Sequence, residues 1–75
     1  MICQLIKMDE ANNQHRFYSM HLMPTLFGEW SLVREWGLSG SGGTLKLDPF
    51  PTEKAALDAL DTIKSAKLKQ GYQLF

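Results

Sequence analysis

A small α+β domain, four antiparallel strands followed by one helix laid on one face of their sheet, is the fold class that this 75-residue sequence predicts. Three observations carry the prediction. Side chains alternate with period two over 17–23, 30–36 and 44–47, glycine and proline separate these stretches, and a capped segment of helical period follows Thr52. The chain is read as one domain, 1–75, because so short a chain forms a single thin core.

The first strand is expected over 2–8, where Ile2, Cys3, Leu5, Ile6 and Met8 alternate imperfectly, and the polar run 9–14 reads as a loop. In the second strand, Phe17–Met23, parity separates Tyr18, Met20 and Leu22, the expected core face, from Phe17, Ser19, His21 and Met23. Pro24 lacks an N–H and Gly28 admits a left-handed turn, so 24–29 is expected to be a connection. The third strand, Trp30–Trp36, sets Trp30, Leu32, Arg34 and Trp36 on one side. Four glycines in Gly37–Gly43 predict a hairpin connection, Thr44–Leu47 a fourth strand, and Asp48–Pro51 its break.

Thr52 stands where an N-cap belongs, with Glu53 in the first turn. At about 100° per residue, Ala56, Ala59, Leu60, Ile63 and Ala66 gather on one stripe, with Leu57 at its margin. Lys64, Lys67 and Lys69 complement the helix dipole near the end, and Gly71 is placed to terminate the helix. The apolar tail Tyr72–Phe75 is expected to dock on the core or add a short edge strand. With the helix on one face, the other is expected to stay open and to carry Trp, Phe and Met, an apolar surface suited to a partner or a second copy.

Eight cations balance eight anions, so affinity for a polyanion has to come from local placement. Cys3 is the single cysteine, which excludes an intrachain disulfide framework and a zinc finger and points to a reducing, cytoplasmic setting. No apolar run approaches the ~18 residues of a membrane-spanning helix, so no membrane partner is expected. The glycine loop lacks a P-loop's Lys-Ser/Thr pair and precedes a strand, so it reads as a turn and no small-molecule cofactor is expected. Cys3, His15 and His21 match no metal-ligand or nucleophile-base spacing, and Asp58 and Asp61 read as solvated carboxylates, with Asp48 alongside them. The reading is therefore a binding module with no enzymatic constellation. Lys67 falls about 20° from Ala56 on the helical wheel, so it either covers apolar surface with its stem or meets a fixed partner, a carbonyl or a phosphate. Trp36-Gly37, at the mouth of the glycine hairpin, either packs in the core or offers a face on which a base can stack.

Around these residues the chain resembles the WGR domain, named for a Trp-Gly-Arg signature and found in DNA-dependent poly(ADP-ribose) polymerases and in many bacterial proteins. The likeness runs through Asn12, Phe17-Tyr18, Trp30–Gly37, Gly40–Thr44, Phe50, Ala55-Ala56, Lys67 and Gly71-Tyr72. It implies a stand-alone module without enzymatic activity that binds nucleic acid, DNA ends or nicks in particular, with Trp36 stacking and Gly37 giving close backbone approach. The signature arginine is Leu38 here, which removes a bidentate phosphate ligand. Arg34, Lys46, Lys64, Lys67 and Lys69 are the residues expected to compensate. The alternative is a protein-interaction or homodimer module that has lost DNA binding.

Overall fold

The computed structural model describes residues 2–11, 13–40 and 42–75. Its elements are β1 (Ile2–Asp9), β2 (Gln14–Pro24), β3 (Trp30–Leu38), β4 (Thr44–Phe50), α1 (Glu53–Lys69) and β5 (Gln73–Leu74). The strands form one antiparallel sheet in the order β4-β3-β2-β1-β5, so the four predicted antiparallel strands are present, arranged as a meander, and the tail supplies a short fifth strand on β1. Asn12, the first residue of the family likeness, and Ser41 of the glycine loop lie outside the described residues.

All four strands run past their predicted ends, β1 by Asp9 alone and β2 also at its start, from Gln14. Pro24 is the last residue of β2 and pairs with Trp30, since a missing N–H is tolerated at a ladder's end. Gly37 and Leu38 belong to β3, opposite Phe17 and Arg16, rather than to the hairpin loop. On β4, Pro49 and Phe50 stay in the ladder because the strand lies at the sheet's edge, where a proline can turn its nitrogen to solvent.

Cys3, Leu5, Tyr18, Met20 and Leu32 form the buried face of the sheet, and α1 covers them with Leu60. Ala56 and Leu60 are buried and Ile63 packs beside them, whereas Ala66, expected on the same stripe, is exposed. The stripe follows 56, 60, 63 and 67, because eleven residues bring the helix back to within about 20°. Lys67 thus takes the place expected for Ala66. Both tryptophans share the parity of Leu32 and lie on the helix side, which corrects the expectation of a tryptophan on the open face. The open face carries Ile6, Met8, Phe17, Met23, Val33, Leu45 and Leu47.

The hairpin between β3 and β4 closes tightly enough to require glycine. A Cβ at Gly43 would lie 2.9 Å from the Trp36 carbonyl oxygen and 3.0 Å from Phe17 Cζ. At Gly37 a Cβ would meet Gly43 Cα at 3.2 Å, so these two glycines are packed against each other.

Leu60 is 1% exposed at the centre of the core, and Leu60→Ala is expected to cost about 2–5 kcal/mol, read as a lower urea midpoint. Gly43→Ala pushes a methyl into backbone and should destabilise by about 1–3 kcal/mol in the same measurement. Burial raises the Cys3 thiol pKa, with Lys64 pulling it down and Asp61 adding to the rise. The unfolded chain therefore ionises first, so this contribution is intact below the ordinary thiol range and lost as pH climbs through it. Urea titrations across that range should show a shallower alkaline loss of stability in Cys3→Ala than in the parent protein.

Candidate functional site

The helix ending builds one wall of the site. Tyr72 N–H donates to the Lys67 carbonyl at 3.1 Å and Gly71 N–H to the Leu68 carbonyl at 3.2 Å, the paired bonds of a Schellman turn. Gly71 supports that turn with φ +100°, a left-handed conformation open to glycine. The turn sets Tyr72 beside Lys67, where a hydrophobic pair would ordinarily close the motif, and the Lys67 ammonium lies 5.6 Å from the Tyr72 ring centre.

Strands β2 and β3 supply the floor. Tyr18 and Trp36 are cross-strand partners, and their rings stack 5.5 Å apart at 14°. Tyr72 meets Tyr18 edge-on at 6.4 Å and 73°. Over this aromatic cluster the Lys67 ammonium stands 4.6 Å from the Tyr18 ring centre, and the Arg34 guanidinium 5.7 Å from that of Trp36. One face of Trp36 is thus occupied by Tyr18, so the residue is both a core contact and a wall of the groove beside it.

That groove has a volume of about 900 Å³ and is lined by Lys7, Arg16, Arg34 and Lys67 together with the three rings. Asp9 and Glu10 close its acidic end. The Lys7 ammonium donates to the Gln70 carbonyl at 2.7 Å and lies 5.7 Å from the Tyr72 ring centre, so a strand cation rests on the carbonyl end of the helix. Arg16 reaches Asp9 at 3.3 Å. Arg34 donates to Asp48 at 2.7 Å and to the Tyr18 hydroxyl at 3.4 Å. Its Nε is buried and, among the described residues, has no partner. Burial alone lowers the Arg34 pKa, but Tyr18 and Asp48 more than reverse this and raise it, so the guanidinium stays charged.

Of the residues singled out from sequence, Arg34, Trp36 and Lys67 come together here. Gly37 lies next to them, yet it faces Gly43 and Phe17 across the hairpin rather than the groove. Lys46 is exposed on β4 opposite Arg34. Lys64 lines a separate crevice with Cys3, Leu60 and Asp61, and Lys69 is exposed in the last turn of α1. Lys7 and Arg16 belong to the groove and were not singled out. Both continue the core parity of their strands, Lys7 after Cys3 and Leu5 and Arg16 before Tyr18, so a cation closing an apolar stripe was the available signal.

Acid-base and metal chemistry find no framework among these groups. Cys3 faces the helix while His15 and His21 lie on the opposite side of the sheet. Asp48 is held by Arg34, and Asp58 pairs with Lys54 at 3.1 Å. Among the described residues, no cluster of three or more His, Cys, Asp or Glu can hold a metal ion, and no helix is long and apolar enough to cross a membrane.

An uncharacterised protein, y4dW, of Sinorhizobium fredii (strain NBRC 101917 / NGR234) is 33% identical to the chain over 67 residues, 89% of this chain. The chain spans about a third, 33%, of that relative's length. The model of the WGR domain matches residues 1–74. Together with the sheet, the single covering helix and the tryptophan at the end of β3, this match makes the chain a member of the WGR family, whose domains are non-catalytic modules.

Proposed function

We propose that this domain binds nucleic acid, DNA ends or nicks in particular, with backbone phosphates seated in the groove and a terminal base or sugar against Trp36 where it lines that groove. The observation that carries the reading is the convergence of four of the chain's eight cations on one aromatic cluster while the whole chain is neutral. Phosphate neutralisation by Lys7, Arg16, Arg34 and Lys67 supplies affinity, and Trp36 supplies an apolar contact for the terminal base or sugar.

Leu38 takes on a particular meaning in this reading. It pairs across the sheet with Arg16, so a guanidinium still stands at that level of the sheet, delivered from β2 instead of β3. We infer that Arg16 does the work of the missing signature arginine. A protein-interaction role is the second reading, favoured by the open sheet face with Phe17, Leu45 and Leu47. The buried single thiol suits a cytoplasmic site of action.

Titration of labelled blunt, nicked and single-stranded DNA and of RNA at two salt concentrations tests the first reading. Lys67→Gln and Arg16→Leu are each expected to weaken binding about tenfold and to reduce the salt slope by about one. Trp36→Ala should lose more, with its folding checked separately because Trp36 also packs on Tyr18. Adding Leu38→Arg to Arg16→Leu should restore affinity, whereas Lys64→Gln and Lys69→Gln should have smaller effects. A folded parent protein that binds none of the four at low salt rejects the reading.

A further inference from the structure

We propose that β4 is the pairing edge of a two-fold dimer, in which β4 of one copy runs antiparallel to β4 of a second copy, centred on Leu47. The sheet has two edges, and they differ. At one, β5 is two residues long; at the other, β4 offers seven. Pro49 sits in the ladder opposite Ser31 with no N–H to give, which places positions 45, 47 and 49 with their backbone groups outward and 44, 46 and 48 bonded to β3. Leu45 and Leu47 therefore each present an N–H and a C=O at the edge. Their side chains are 59% and 56% exposed on the open face.

Self-complementarity selects the register. Centred on Leu47, the two copies exchange a pair of hydrogen bonds between their Leu47 residues, and Lys46 of each lies opposite Asp48 of the other. Among the described residues Lys46 makes no ion pair within its own chain, so this contact gives it a partner. Leu45 then faces Pro49 and retains one hydrogen bond of two. Centring on Lys46 would oppose like charges, and centring on Leu45 would set Leu47 against Gly43 at the mouth of the loop. Pairing about Leu47 also joins the apolar surface of one open face to its copy through Val33 and Leu47.

The axis of such a dimer is normal to the sheet, so both helices and both grooves fall on one side, at opposite ends of a ten-stranded sheet. A polyanion long enough to span them would be held at two points. Dimerisation itself requires no ligand, so its test is independent of nucleic-acid binding.

Sedimentation equilibrium of the protein alone, from about 10 µM to about 1 mM, is expected to show a monomer–dimer equilibrium. Lys46→Asp, an exposed change that sets carboxylate against carboxylate, should raise the dimer Kd by about tenfold or more, and Leu47→Lys should do the same. Ile2→Ser, an exposed change on distant β1, should leave it unaltered. Circular dichroism verifies that each variant is folded. A monomer throughout the concentration range overturns the proposal, as does a dimer indifferent to both Lys46→Asp and Leu47→Lys.

Discussion

The ring of Tyr18 is the point on which the rest of this structure depends. It is 4% exposed, stacked on Trp36, met edge-on by Tyr72, capped by the Lys67 ammonium and bonded through its hydroxyl to Arg34. A single side chain thus connects β2, β3, the helix and the tail. A buried phenol keeps its place only if its oxygen finds a donor or acceptor, and Arg34 provides one from the neighbouring strand. The aromatic floor and the cations above it are therefore held by the same contacts that close the core.

Charge in this small domain is sorted by location rather than by amount. With no net charge, the chain has no net field to draw in a polyanion, and its positive charge is concentrated locally in the groove. Lys7 and Lys67 are positioned partly by the helix terminus, whose carbonyls favour cations, while Asp9 and Asp48 steady the two arginines. These neutralising contacts limit repulsion among four cations in one place.

Much of the fold was legible because period and punctuation agreed. Thr52 accepts from Ala55 N–H at 3.1 Å as an N-cap should, and Tyr18, Met20 and Leu22 take the core side as parity required. Strand ends were less legible, since prolines at 24 and 49 mark breaks only where a ladder needs their N–H, and edge position is a property of the assembled sheet. The candidate site was half visible. Parity showed that Arg34 and Trp36 share a side, but which side met the helix depended on packing, and the partnership of Lys7 and Arg16 with Lys67 depended on how β1, β2 and the helix end converge. The pairing of Leu38 with Arg16 exists only across the sheet, where sequence distance says nothing.

The Schellman turn has a consequence for how this chain can change over evolutionary time. Lys67 reaches Tyr18 only because a fixed number of residues separates it from Ala56, which is anchored on the sheet. One residue inserted or deleted between them would rotate Lys67 by about 100° and detach Tyr72 along with it. By contrast, the exposed tip between β2 and β3, where Leu26 and Phe27 are 98% and 86% exposed, can lengthen without disturbing either. Length variation among descendants of this sequence should therefore collect in the turns, and the segment from Ala56 to Tyr72 should be inherited as a ruler of constant length.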